Sequence, residues 1–542
     1  MKPIVADIHA HSTVRLFYGE HGIMWKKPLT DAARHHQTFT LPQAVFGELL
    51  ESRVRLVFLS LYAIEQGFLS NLIPEKDMLK ALKLSEEGFG AFLIKTLDHL
   101  INKEQFGFDV RGLLAKYIDG IARKKYKMVV AGDADYFNQL SGEYHYLVDK
   151  IQNDKDGAKH LYIAGSFDDV SKVLNVDADM NCNAPNDEVI VIVLTVEGGH
   201  SLGCGMSKAN VFSMDELNGV KDGQFIHKRV QQLYEQLKNN IATLKQWGGG
   251  KHSPLFITFA HHFWNQLGGH NMSVPAPMHV VFDQNQGMNT PMTELGKKVI
   301  SELLSTDNGR RILIDTKHMS VDVKKWYYDF VETYNAAHPA QLIPIISSHS
   351  GVNGWKTMEA SRNTNDHAAM SERYKNTHLV DTGGMFNNWD INLSDEEINI
   401  IHRSGGLIGL NFDQRILSGP QMVSYIEKFD IQENIELFRS VWAEPIIANI
   451  LHIAKAVFEG NNAGKEKIWE MIAIGSDFDG MINPLDAWCY PFDFEKLSEM
   501  LKRKLNERKA VEALLARVDV EQLVDGFMYK NALRFLKKYF NN

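Results

Sequence analysis

The chain has 542 residues, 44% of them hydrophobic and 10% aromatic, with a formal net charge of -9. That exceeds one ordinary domain, although α/β barrels with insertions reach this size as one unit. The acidic balance argues against a nucleic-acid or anionic-membrane surface. Three cysteines, Cys182, Cys204 and Cys489, are too few and too scattered for a disulfide framework or a thiolate zinc site. The 22 histidines are the one compositional hint of metal chemistry. No secretory leader, no apolar run of roughly 18–20 residues and no lipid-anchor signal is visible, so the expectation is a soluble, cytoplasmic protein.

In chain order, the first stretch is "IVADIHAHST" at 4–13. Residues 4–6 read as a strand that runs into Asp7, His9 and His11. Residues i and i+2 share a strand face, so His9 and His11 project together as a ready pair of metal ligands. Taken alone, an H-x-H is equally the polar turn after a strand. A second strand is expected at 54–62. Residues 65–187 read as an insertion or elaborated connection, mostly helical (92–101 and 111–121, for example), with short candidate strands at 128–131 and 161–164. The rhythm resumes at 189–196 and continues through 255–260, 312–316, 342–347, 406–411 and 472–475. Residues 492–542 carry apolar positions at helical spacing and are expected to pack on the rest as C-terminal helices.

Near-continuous apolar strands separated by helices imply a parallel sheet covered on both faces. Eight such units predict an α/β fold, a closed (β/α)8 TIM-type barrel occupying 1–542 as a single domain. The rival is an open doubly wound sheet, but no G-x-G-x-x-G follows the first strand.

A barrel of this kind gathers its chemistry at the C-terminal ends of its strands. Strand one ends in Asp7, His9 and His11, strand three in Glu197, and strand four in His261 and His262. Strand five ends in Asp315 and His318, strand six in His349, and strand eight in Asp477 and Asp479. Each has an ordinary explanation by itself; Asp479 before Gly480, for instance, suits a helix N-cap. Together they deliver imidazole and carboxylate to one rim, the ligand set of a divalent cation, with zinc favoured. The inventory exceeds what one tetrahedral ion uses and fits two ions that activate water, so the expected reaction is metal-assisted hydrolysis.

Four motifs, "VEGGHS" at 196–201, "IDTKHMS" at 314–320, "SSHS" at 347–350 and "GSDFDG" at 475–480, resemble the membrane (renal-type) dipeptidases. That family, peptidase M19, is a branch of the amidohydrolase superfamily, and the resemblance covers nearly the whole chain apart from much of 63–134. It implies a dipeptidase that hydrolyses small dipeptides through a hydroxide bridging two zinc ions. Residue by residue, it implies that His9 and His11 hold the first ion, Glu197 bridges both, and His318 and His349 hold the second. Asp477 would ligate the first ion and act as general base and acid. His261 would contact substrate and stabilise the oxyanion, with His262 as the neighbour that could be mistaken for it. Arg362 would bind the substrate carboxylate, with Arg415 as the substitute. No nucleic-acid or membrane partner is implied, and a homodimer is left open.

Three departures bear on substrate. The family has H-x-D where this chain has His9-x-His11, Lys317 stands where the family has a small residue, and the insertion after strand two is larger. An amidase, lactonase or deaminase acting on another small substrate is the alternative. A catalytically silent binding protein on a retained barrel is the third reading, and the full set of ligand-type residues speaks against it.

Overall fold

The structure is a computed structural model that describes residues 4–18, 24–25, 42–68, 135–183, 188–204, 211–274, 282–362, 384–429, 434–480 and 482–541. Eight strands form its centre: β1 (Val5–Ala10), β2 (Val54–Tyr62), β3 (Ile190–Glu197), β4 (Phe256–Thr258), β5 (Leu313–Asp315), β6 (Ile346–Ser350), β7 (Leu407–Leu410) and β8 (Ile472–Ile474). They pair in parallel in the order β2-β1-β8-β7-β6-β5-β4-β3, and β3 returns to β2 along Leu56–Tyr62 against Val191–Glu197. The sheet therefore closes on itself as the predicted (β/α)8 barrel. Every residue of these strands is buried, which explains why they read as unbroken apolar runs rather than as alternating ones.

Helices follow the strands on the outside, among them Lys228–Lys245, Glu294–Leu304, Val321–Ala337, Asp395–Ser404 and Glu444–Glu459. Their starts are written in the sequence: Thr293 and Ser320 cap the second and third, and Ser394 with Glu397 forms a capping box on the fourth. Among the described residues one stretch, Ile435–Glu459, is apolar and long enough to cross a membrane, but 67% of its apolar window is buried inside the protein. The C-terminal helices include Phe494–Arg508 and Asn531–Tyr539. Asn531 donates to the carbonyls of Trp469 and Ile472, both at 2.8 Å, and so pins this tail at the start of β8, away from the functional rim.

Among the strand boundaries that differ from the sequence reading, two bear on the argument. The sixth strand begins at Ile346 rather than at 342, because Pro344 has no N–H to give a ladder and the Ile345 N–H is taken by Ser404 Oγ at 3.0 Å. The first strand extends to Ala10, so His9 lies within it. In the 65–187 region, the candidate strand at 161–164 is present as Leu161–Ile163, an accessory strand paired to Ile190–Ile192. Helix Tyr136–Asn153 is also there. Its buried Glu143 accepts from Thr13 Oγ1 (2.6 Å) and Tyr62 N (2.7 Å), tying the insertion to the ends of β1 and β2. The helices expected at 92–101 and 111–121 and the strand at 128–131 lie outside the described residues.

Candidate metal centre

Two buried aspartates build the rim before any ligand is considered. Asp7, in β1, accepts from its own His9 N–H (3.1 Å), from Ser476 N–H (3.0 Å) and from the Ser476 hydroxyl. Asp315, ending β5, accepts from Lys317 N (3.1 Å), Ser348 N (3.0 Å), and the Ser348 and Thr258 hydroxyls at 2.6 Å each. These rim carboxylates therefore stitch neighbouring strand ends together. Asp479 ties the end of β8 to the segment before helix Phe46–Glu51, accepting from Gln43 N (3.1 Å) and Ala44 N (2.8 Å). Gly409 and Gly475 let β7 and β8 approach β6; a Cβ at either would fall 1.9 Å from the Ser348 carbonyl.

The backbone is turned hard where two side chains enter the centre. His318 has φ 66° and Asp477 φ 61°, both in the left-handed region. Such residues cost of order 1–3 kcal/mol each and persist where surrounding structure enforces them, typically at functional sites.

Glu197 is the hub. Its Oε2 lies 2.9 Å from His11 Nε2, and its Oε1 lies 3.4 Å from His9 Nε2, 3.5 Å from His261 Nε2, 3.6 Å from His349 Nε2 and 4.0 Å from His318 Nε2. Asp477 Oδ1 closes the opposite side, 3.5 Å from His11 Nε2 and 3.8 Å from His9 Nε2. The structure thus brings together His9, His11, Glu197, His261, His318, His349 and Asp477 from six strand ends. Three of its trios can hold a cation: His9–Glu197–His349, His9–His11–Asp477, and Glu197–His261–His318, each with its donor atoms within 4.8 Å of one another.

A donor set of this kind fits a metal, and the polar accounting agrees. Both ring nitrogens of His9, and Nδ1 of His11 and of His318, are buried without a hydrogen-bond partner. Buried polar atoms are normally satisfied, so imidazoles turned toward two carboxylates with nothing else to bind are what a cation site requires. Burial keeps His318 and His349 well below the usual histidine range, in the neutral form that ligates. Burial alone would also lower His11, but Glu197 and Asp477 together carry it up to about 10. The carboxylates themselves diverge. Burial would raise Glu197, yet His261, His11 and His9 hold it well below its usual range; burial and the Glu197 charge push Asp477 up, against the His11 hydrogen bond. Two carboxylates pushed apart in this way suit different roles, one a fixed anion and the other a proton carrier.

A cavity of about 110 Å³ opens onto this cluster, lined by Phe68, His262, Lys317, Trp389, Asp413 and Arg415 as well as by Glu197, His261, His318, His349 and Asp477. Lys317 is buried and its Nζ lies 3.4 Å from the Ile391 carbonyl; burial lowers it to about 7. The arginine expectation needs correcting. Arg362 is not among the residues lining the cavity; it is paired with Asp322 (2.7 Å) and Glu359 (2.8 Å), two surface carboxylates on adjoining helices. Arg415, the substitute, lines the cavity, its Nε 3.0 Å from Asp413 Oδ1.

Comparison with solved structures returns dipeptidases. One, described as a family M19 metallopeptidase, aligns over 100% of both chains at 12% identity with a TM-score of 0.48. A metallopeptidase from Rhodobacter sphaeroides, liganded with a phosphinate mimic of the dipeptide L-Ala-D-Ala, gives 0.48 at 12% identity over 99% of this chain and 100% of its own. The probable dipeptidase PvdM from Pseudomonas aeruginosa gives 0.47 at 14% identity over 99% of this chain and 95% of its own. No family model matches its sequence, and no curated protein matches it.

One residue of the site escaped the sequence reading. Glu65, three residues past β2, is buried with Oε2 2.5 Å from His261 Nδ1 and Oε1 3.2 Å from the Phe263 N–H. In sequence it stood at the edge of the insertion, with no histidine or glycine beside it to mark it. The signal that was available is its position just beyond a strand end, the same signal that found the others.

Proposed function

We propose that the chain is a dinuclear zinc hydrolase that cleaves small dipeptides bearing a free C-terminal carboxylate. The observation that carries this reading is the ring of imidazole nitrogens around Glu197, closed by Asp477 and opening onto a small cavity. His9, His11 and Asp477 would hold one ion, His318 and His349 the other, and Glu197 both. When bound, the ions would supply an acidified water and polarise the scissile carbonyl.

The rest falls to this chain's own side chains. Asp477, raised by burial and by Glu197, would take a proton from the attacking water on its carboxylate and return it to the leaving amine. Arg415, fixed by Asp413, presents its guanidinium to the substrate carboxylate. Phe68, Trp389 and Ile391 line an apolar wall that holds the substrate and excludes bulk water. A soluble, cytoplasmic enzyme with no nucleic-acid or membrane partner belongs to the same reading.

Lys317 favours a second reading. A buried ammonium in the cavity wall suits a substrate with an additional anionic or carbonyl oxygen, as an amidase, lactonase or deaminase of the wider superfamily would take. Metal analysis coupled to a panel of dipeptides, acyl-amino acids and lactones decides between them. The dipeptidase reading expects about two zinc per chain, by the donor count above, and turnover of dipeptides. Turnover of lactones or acyl-amino acids alone selects the second reading, and a chain that takes up no metal overturns both.

A further inference from the structure

We propose that Glu65 is a positioning residue that turns His261 into an additional metal donor on the Glu197–His318 side of the centre, leaving His262 to face the substrate. This rests on the metal-centre reading above but not on the dipeptide.

The geometry of His261 is that of a ligand with its second nitrogen already spoken for. Glu65 Oε2 sits 2.5 Å from Nδ1, and Nε2 points to Glu197 Oε1 at 3.5 Å. A carboxylate at Nδ1 fixes the proton there, so the lone pair at Nε2 is aimed at the cluster; ligating histidines in metal sites are oriented in this way. The ring of His318 is 4.8 Å from that of His261, centroid to centroid, and the donor atoms of Glu197, His261 and His318 form one of the three cation-sized trios.

Glu65 is itself held. It accepts the Phe263 N–H at 3.2 Å, the Tyr62 hydroxyl lies 3.3 Å from its Oε2, and His200 Nδ1 lies 3.7 Å from Oε1. His200 is in turn anchored through Nε2 to the Ala63 carbonyl at 2.7 Å. The end of β2 is thereby built as a support for one imidazole of strand four.

His262 is placed differently. Its Nδ1 lies 2.5 Å from Ser273 Oγ, which also accepts from Gln284 at 2.8 Å, and its ring lines the cavity beside His261, 3.9 Å between centroids. Among the described residues no carboxylate is hydrogen-bonded to it, and it belongs to none of the three trios. Adjacent histidines thus divide the work: one serves the centre and its neighbour serves the cavity.

The test is metal binding by the full-length chain, measured by zinc titration against a competing chelator and by the visible spectrum of the cobalt-loaded protein. Glu65→Gln keeps an acceptor for the Phe263 N–H but loses the charge at Nδ1. It and His261→Ala should weaken one of the two metal equivalents by about 10- to 100-fold and alter the cobalt spectrum. His262→Ala should leave both readouts as in the wild type while lowering turnover. Should Glu65→Gln fail to fold, His261→Gln carries the same expectation. Wild-type metal affinity and spectrum in the Glu65 and His261 variants overturn the inference alone. Metal loss in His262→Ala instead overturns the division of labour, and a wild-type chain that takes up no metal overturns the inference together with the proposed function.

Discussion

Asp477 and His9 are joined twice: the Asp477 N–H donates to the His9 carbonyl at 2.9 Å, and Asp477 Oδ1 lies 3.8 Å from His9 Nε2. The ends of β1 and β8 are therefore fixed relative to each other through the backbone before their side chains meet a metal. The left-handed φ of Asp477 belongs to the same turn. Asparagine tolerates that conformation, so Asp477→Asn should fold and keep its metal while losing its proton acceptor. Its kcat should fall about 100- to 10,000-fold, read by steady-state kinetics alongside metal content. Undiminished kcat would remove Asp477 from proton transfer.

Arg415 and Arg362 offer a paired comparison. Arg415 faces the cavity, whereas Arg362 is spent on Asp322 and Glu359 at the surface. Arg415→Ala should raise KM for substrates with a free carboxylate about 10- to 100-fold, the worth of a charged hydrogen bond. Substrates with that carboxylate amidated should show little change. Arg362→Ala should leave KM alone and lower stability by less than about 1 kcal/mol. The reverse pattern would restore Arg362 as the carboxylate ligand.

His11 is the chain's departure from the H-x-D pattern, and it sits between Glu197 at 2.9 Å and Asp477 at 3.5 Å. His11→Asp exchanges a neutral ligand for an anion and places a third carboxylate in the cluster. The metal-free variant should be less stable through like-charge repulsion, and its Tm should rise more on adding zinc than the wild type's does. Zinc affinity should increase by about tenfold or more. Equal or weaker binding would count against the charge argument.

Asp486 gives a pH-dependence away from the metal. Burial, with the Glu427 charge adding to it, pushes this carboxyl up to about 7 from 3.8. Between those values the unfolded chain has released the proton while the folded chain keeps it, so stability falls as pH rises through that window and stays reduced above about 7. Asp486→Asn should match the wild type near pH 4 and exceed it near pH 8. The gain should be of order 2 kcal/mol, discounted because the side chain keeps some solvent access. Thermal melts of both proteins at the two pH values measure it, and coincident curves near pH 8 would refute it.

Much of this molecule was written locally. The eight parallel strands are legible because a strand buried on both faces must be apolar throughout, and the rim is legible because polar residues follow each such run. Seven of the eight site residues read from the sequence, all but Arg362, meet in one cluster. What the sequence could not supply was distance between residues far apart in the chain. Arg362 and Arg415 are both arginines beyond a strand end, and only folding shows one paired with surface carboxylates and the other turned to the cavity. Asp7 and Asp315 resemble ligands in sequence; their hydrogen bonds to Ser476 and Ser348 show them bracing the strands. Glu65 carries no local mark beyond its place after a strand, because its meaning lies in His261, 196 positions away. Patterning of side chains along the chain determines which elements form and what chemistry they carry. The closure of β2 against β3, by which the ring is completed, decides which of those side chains come within reach of one another.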